Sequence, residues 1–193
     1  MAQLLEQVRT VPDRLLHGSR RRAAVAAVRR AGRLPAAVLF VCHGNIFRSP
    51  FAAAVLRRAL ARVGRSDVQV ESAGFAGAGR PVPPVAIGLA ARRGIALTSH
   101  RSQLVLADLV RAADVVVVMD ALQRRTVCER FGRGPRGVLL LGDFDPEPVT
   151  SRDIEDPVEQ GASVCEMVYA RIERCVGVLV SALQEVATRD GEP

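Results

Sequence analysis

The 193-residue sequence has no tryptophan, one tyrosine, three histidines and four cysteines, and its 27 basic residues are all arginine. Without lysine there is no G-x-x-x-x-G-K-[ST] loop, which excludes that class of nucleotide-binding site. The cysteines include no C-x-x-C pair, so neither a zinc finger nor a disulfide framework is indicated. The histidines include no H-E-x-x-H motif, and we expect no metal and no organic cofactor.

Long apolar runs are missing as well. No run approaches the roughly 20 residues that span a bilayer, and the N-terminus has no continuous apolar core before a small-residue cleavage site. With few cysteines and no disulfide pattern, these features predict a cytoplasmic protein in a reducing setting.

The net charge of +7 is unevenly distributed. Residues 1–35 carry eight arginines against two acidic residues, whereas the remainder carries 19 against 18. No aromatic residues are interleaved with these arginines, so we do not expect nucleic acid as a partner. We predict a basic helical extension over residues 1–35, in two short pieces interrupted by Pro12, with Ser19 as the cap of a helix through Arg30. This extension either packs on the rest of the chain or docks to an acidic partner or a membrane surface. Of the two docking partners, we do not expect the membrane.

The rest of the chain alternates apolar runs with helical patterns. The predicted strands cover residues 36–42, 68–72, 114–119 and 138–141, and the last helix covers residues 162–187. Such alternation predicts an α/β domain over residues 36–187, with a four-stranded parallel sheet and helices on both faces, followed by a tail at 188–193. Ligands of such sheets bind beyond the carboxyl ends of the strands.

The strongest motif lies at the end of the first strand. Cys42 is followed by five residues and then Arg48, after which Ser49 and Pro50 open a helical pattern. A strand, a glycine-bearing loop and a helix N-terminus form an anion site, because backbone N–H groups and the helix dipole converge there. A thiolate beside arginine at such a place has a lowered pKa and is a good nucleophile. The loop residues predicted to bind a phosphoryl group are His43, Gly44, Asn45, Ile46, Phe47 and Arg48.

The segment VLFVCHGNIFRSP resembles the active-site signature of the low molecular weight protein tyrosine phosphatases. The resemblance runs from about residue 36 to 185 and includes further motifs at 71–74, 99–104, 114–120, 140–144 and 153–157. It implies the phosphatase type I-like fold, a cysteinyl-phosphate intermediate on Cys42, and Asp156 as the general acid. Asp153 and Glu155 are nearby alternatives, though neither precedes a proline.

The resemblance also implies supporting residues and partners. Asn45, Ser72 and His100 would hold the phosphate-binding loop in shape, and Ser49 would donate to the sulfur. His43 is expected to be exposed. The implied substrate is a phosphotyrosyl protein, with a bacterial tyrosine kinase of exopolysaccharide regulation as a candidate partner. The oligomeric state stays open.

Several positions depart from the family pattern. Phe47 stands where many members have a second cysteine, so no protective disulfide can form within the loop. Val158 and Glu159 replace the usual aromatic pair after Asp-Pro, and Phe75 is the only aromatic in a loop that usually has a tryptophan. Ile46 stands where the arginine phosphatases tend to have threonine, which favours phosphotyrosine. The phosphate-binding residues are therefore intact, whereas the rim that contacts the rest of the substrate is altered.

Two alternatives remain open from the sequence. A thiol-linked arsenate reductase would share the scaffold but needs additional redox cysteines, and Cys128, Cys165 and Cys175 show no closely spaced resolving pair. A pseudophosphatase would bind phosphoproteins without turnover; the altered rim favours it, and the presence of Cys42, Arg48 and Asp156 opposes it.

Overall fold

The computed structural model describes residues 2–30 and 34–190, with side chains from residue 13 to 30 and from 34 to 188. Four parallel strands form one sheet in the order β2-β1-β3-β4. They are β1 (Ala37–Cys42), β2 (Gln69–Gly74), β3 (Val115–Val118) and β4 (Val138–Leu140). The helices are α1 (Ala2–Arg29), α2 (Arg48–Arg62), α3 (Pro84–Arg92), α4 (Ala107–Ala112), α5 (Ala121–Phe131) and α6 (Gly161–Asp190).

The sheet is covered on both faces, as the unbroken apolar strands predict. Val38 and Phe40 of β1 belong to a core shared with α2 and α6, while Leu39 and Val41 belong to a second core on the opposite face. The larger core includes a stacked aromatic pair, whose ring centroids lie 3.8 Å apart, between Phe51 of α2 and Tyr169 of α6. The predicted fold class is therefore confirmed.

The N-terminal segment differs from its prediction. It forms one helix, α1, which continues through Pro12, and the Ser19 hydroxyl donates to the Leu16 carbonyl inside that helix instead of capping a new one. An interior proline costs a helix about 3 kcal/mol, and it can kink the helix without ending it. Packing of the turns after Pro12 against α6 supports the continuous helix, because Ala24 and Val28 are buried in the larger core.

Several other boundaries differ. The sequence pattern also predicts a short helix over residues 104–111, but this helix begins at Ala107, because Leu104 pairs with the end of β2 and the Val105 N–H donates to the Gly74 carbonyl at 2.8 Å. The last strand ends at Leu140, and residues 141–144 form a 3₁₀ turn. Helix α6 continues to Asp190, into the predicted tail, and residues 191–193 lie outside the described residues.

No helix in the described ranges combines the length and the apolar character needed to cross a membrane.

Candidate active site

Cys42 is the last residue of β1 and is 2% exposed, at the edge of the sheet where the parallel strands end. Residues 43–47 form a loop that leads directly into α2, whose N-terminus has no side-chain cap. The first N–H groups of α2 and the positive end of its dipole are thus available to an anion. The Asn45 N–H donates to the Cys42 sulfur at 3.2 Å, and the Ser49 hydroxyl lies 3.0 Å from the same atom.

Asn45 is the residue around which the loop is built. It is fully buried and has a positive φ of 52°, a conformation that asparagine tolerates better than most residues. Its amide nitrogen donates to the hydroxyls of Ser49 and Ser72, each at 2.9 Å. Its amide oxygen accepts from the Gln103 N–H at 2.9 Å. One side chain therefore ties the loop to α2, to β2 and to the segment before α4.

His100 holds the same residue through its main chain. Its Nε2 lies 2.9 Å from the Asn45 carbonyl oxygen, and because a carbonyl only accepts, Nε2 carries the proton. Burial lowers the pKa of His100 more than the hydrogen bond to the Asn45 carbonyl raises it, and the nearby cations Arg57 and Arg101 lower it further. The neutral imidazole is therefore the form that supports the loop.

Two supports of the loop were not among the predicted site residues. Arg80 Nη2 donates to the Gly44 carbonyl at 2.7 Å and also to the Ala76 carbonyl, which fastens the loop to the segment after β2. Gly74 lies so close to the loop that a Cβ there would be 2.8 Å from the His43 carbonyl oxygen and 2.9 Å from the Asn45 nitrogen. The Ser-Ala-Gly sequence at the end of β2 was a signal for the glycine, whereas nothing in the sequence marks Arg80.

Arg48 is buried at 3% exposure and reaches from the loop to the acid segment, which we define as residues 145–157. Its Nη1 donates to the Ile154 carbonyl at 2.9 Å, and its Nη2 pairs with the Asp156 carboxylate. A second carboxylate, that of Asp120, lies 3.7 Å from Nη1. The Nε atom is buried and has no acceptor among the described residues. This buried donor, on the residue that ends the loop after Cys42, is suited to a phosphoryl oxygen.

Asp156 is the carboxylate that the structure brings to Arg48, more than a hundred residues away in the chain. Of the two alternatives, Asp153 accepts the Ala121 N–H at the start of α5, and Glu155 is exposed. Burial and the neighbouring Asp120 raise the pKa of Asp153 despite that hydrogen bond. Asp156 is one-third exposed, so its carboxylate is accessible to solvent.

The positions that depart from the family pattern differ in how exposed their side chains are. Phe47 is buried in the larger core, where it packs rather than reacts. His43 is exposed, as predicted. Val158 and Glu159 are exposed after Asp156, Glu159 with a positive φ of 63°, and Phe75 is half-buried against the second core.

Two of the three remaining cysteines are poorly suited to redox chemistry. Cys165 and Cys175 are fully buried, and burial raises their pKa values to about 11 and about 12 respectively. A thiol must lose its proton to attack or to resolve a disulfide, so both are inert at neutral pH. Cys128 is half-buried on α5.

Known proteins match this chain over most of its length. Residues 37–189 match the family model described as low molecular weight phosphotyrosine protein phosphatase. The chain is 35% identical over 148 residues to the probable low molecular weight protein-tyrosine-phosphatase EpsP of Ralstonia solanacearum, covering 76% of this chain and 95% of the relative. It is 31% identical over 147 residues to Wzb of Escherichia coli, covering 76% and 94%.

Solved structures show the same similarity. The crystal structure of the tyrosine phosphatase AmsI of Erwinia amylovora aligns with a TM-score of 0.69 at 28% identity, covering 77% of this chain and 93% of that one. The YwlE arginine phosphatase of Geobacillus stearothermophilus aligns with a TM-score of 0.70 at 28% identity, covering 82% and 99%.

Proposed function

The chain belongs to the low molecular weight phosphotyrosine protein phosphatase family, and on that premise we propose that Cys42, Arg48 and Asp156 hydrolyse phosphotyrosine in proteins through a cysteinyl-phosphate. Membership makes the chain a protein-tyrosine phosphatase, that is, a phosphoric monoester hydrolase. The observation that supports these roles is the Nε donor of Arg48, which is buried and has no acceptor among the described residues. Arg48 directly follows the loop whose Asn45 N–H donates to the Cys42 sulfur.

In the first step, the Cys42 thiolate attacks phosphorus and the bond from phosphorus to the tyrosyl oxygen breaks. The N–H groups of residues 43–48 and the Arg48 guanidinium bind the three non-bridging oxygens and stabilise the charge that they carry in the transition state. Asp156 gives its proton to the leaving oxygen, since a phenolate is a poor leaving group. For this step Asp156 has to be protonated and released from Arg48.

In the second step, Asp156 takes a proton from water while the water oxygen attacks phosphorus and the phosphorus–sulfur bond breaks. The Ser49 hydroxyl, 3.0 Å from the sulfur, donates to the thiolate as it departs. Inorganic phosphate and the starting thiolate are the products, so neither an oxidant nor a metal enters the balance. Asn45, Ser72 and His100 keep the loop in the shape that both steps require.

For the physiological substrate we propose a phosphotyrosyl protein in the cytoplasm, with a bacterial tyrosine kinase of exopolysaccharide regulation as the candidate. The similarity to EpsP and Wzb, which are named as protein-tyrosine-phosphatases, supports the phosphotyrosine part. The structural similarity to an arginine phosphatase makes phosphoarginine the competitor that a test should include.

The test measures phosphate release from a phosphotyrosyl peptide, a phosphoarginyl peptide and 4-nitrophenyl phosphate, with Cys42→Ser and Asp156→Ala as controls. We expect turnover by the wild type, preference for the phosphotyrosyl peptide, and loss of turnover in Cys42→Ser. A thioredoxin-coupled arsenate assay run alongside tests the reductase alternative. A wild-type protein that binds phosphopeptide and releases no phosphate would establish a pseudophosphatase instead.

A further inference from the structure

Helix α1 lies outside the residues that match the family model, yet it is packed onto the domain. Its buried residues His17, Ala24 and Val28 are spaced seven and four apart, which places them on one face of the helix. Ala24 and Val28 enter the larger core, and Arg29 pairs with Glu185 of α6 at 2.5 Å. His17, the polar residue of this face, lies at the other end of the contact, beside the acid segment.

His17 and Arg21 hold the first two residues of the acid segment. His17 Nε2 lies 2.9 Å from the Asp145 carbonyl oxygen, and because that oxygen only accepts, the imidazole donates. Arg21, one turn further along α1, donates from Nη1 to the Pro146 carbonyl at 3.1 Å. Two successive carbonyls are thereby fixed from outside the family domain.

The side chain of Asp145 continues this connection inward. Its carboxylate is fully buried and accepts from Arg171 Nε at 3.0 Å and from Arg174 Nε at 3.3 Å. The rest of the Arg171 guanidinium donates to the Ser151 carbonyl at 2.7 Å and to the Asp153 carbonyl at 2.8 Å. One guanidinium therefore joins the start of the acid segment to its later part.

The connection ends at the catalytic groups. The Ile154 N–H donates to the Met119 carbonyl at 2.8 Å, and the Ile154 carbonyl accepts from Arg48 at 2.9 Å. Asp156 follows two residues later, in its pair with Arg48. From α1 to Asp156, each contact is a hydrogen bond or an ion pair between described residues.

We propose that His17 is a positioning residue for the general acid Asp156, acting through Asp145 and Arg171. The turn of the N-terminal helix that carries His17 thus supports the segment that carries the acid. The inference rests on the proposed function, because it takes Asp156 as the proton donor. Loss of the His17 contact should therefore impair proton donation by Asp156, and should leave phosphate binding and nucleophilic attack intact.

The test compares kcat/KM for two esters in the full-length protein. Phenyl phosphate has a basic leaving group and depends on the general acid, whereas 4-nitrophenyl phosphate has a more acidic leaving group and depends on it less. His17→Leu places an apolar side chain on the buried face and removes the donor. We expect kcat/KM for phenyl phosphate to fall about three- to tenfold more than for 4-nitrophenyl phosphate, the factor that loss of one net hydrogen bond supplies.

Two matched variants define the controls. His17→Gln retains an amide donor at similar reach and should restore the ratio of the two esters to near the wild-type value. Arg29→Ala removes an exposed ion pair between α1 and α6 without touching the acid segment, and should leave the ratio unchanged. An equal loss on both esters in His17→Leu, or an unchanged ratio, would overturn the proposal.

Amide hydrogen exchange supplies a readout that does not depend on activity. We expect faster exchange at Ile154 in His17→Leu than in the wild type, and wild-type exchange there in Arg29→Ala. If His17→Leu does not fold, Arg21→Ala is measured in its place, since it removes the neighbouring contact of a half-buried side chain. A wild type inactive on both esters would refute the proposed function, whereas unchanged exchange at Ile154 refutes the coupling alone.

Discussion

Replacement of Asn45 is the perturbation for which the structure gives the clearest magnitude. Asn45→Ala removes three side-chain hydrogen bonds, to Ser49, Ser72 and the Gln103 N–H. At about 1 kcal/mol each, their loss lowers the free energy of unfolding by about 3 kcal/mol. Alanine at a φ of 52° adds about 1 kcal/mol of backbone strain. The sum of about 4 kcal/mol is a large share of the 5–15 kcal/mol typical of a domain.

Asn45→Gly separates the two contributions, because glycine adopts positive φ without strain. Asn45→Gly should lose the free energy of the three hydrogen bonds but should add no backbone strain. Its free energy of unfolding should therefore be about 1 kcal/mol higher than that of Asn45→Ala. Both variants should lose about 10²-fold in kcat on 4-nitrophenyl phosphate, since the loop positions the nucleophile and the phosphate donors.

Urea unfolding gives the free energies, and steady-state kinetics under conditions where the variants stay folded gives kcat. If Asn45→Gly keeps kcat within about twofold of the wild type and has a free energy of unfolding within about 0.5 kcal/mol of it, the loop does not depend on these hydrogen bonds.

Three further predictions concern single residues. Since burial lowers the pKa of His100 from its ordinary 6.5, its contribution to stability is fully present above that value and is lost as the pH falls toward the lowered native pKa. Urea unfolding across this range should show the loss in the wild type and a flatter profile in His100→Gln. Gly74→Ala should lower kcat at least about tenfold, because its Cβ meets backbone atoms of the phosphate-binding loop. Gly88→Ala, with open space around it, is the control and should keep wild-type kcat. Val158→Tyr should lower KM for a phosphotyrosyl peptide about two- to tenfold by adding an aromatic wall, and unchanged KM would show that the wall lies elsewhere.

The fold and the phosphate-binding loop could be predicted because their signals are local. The run from Ala37 to Cys42 is apolar throughout, and the order of strand, loop and helix around Arg48 already defines an anion site. Asp156 could be assigned only through the family resemblance, since an Asp-Pro in a loop carries no chemistry of its own. The structure then brings it to Arg48.

The missed residues act across long distances in the chain. Arg80 and Gln103 support the loop from 36 and 58 residues away, and His17 contacts a carbonyl 128 residues away. The chain has 27 basic residues, all of them arginine, so composition gives no means of choosing Arg80 or Arg171 among them. The continuity of α1 through Pro12 was missed for a similar reason, because the packing on α6 that supports it is tertiary.

In the proposed mechanism Cys42 carries the phosphoryl group during turnover. Wild-type protein mixed with excess 4-nitrophenyl phosphate, quenched in acid within the first turnovers and digested, can be examined by mass spectrometry for a phosphorylated peptide. We expect the phosphate on Cys42, and we expect Cys42→Ala, under the same conditions, to give neither a phosphorylated peptide nor free phosphate. Phosphate on another residue, or release of phosphate by Cys42→Ala at the wild-type rate, would contradict this mechanism.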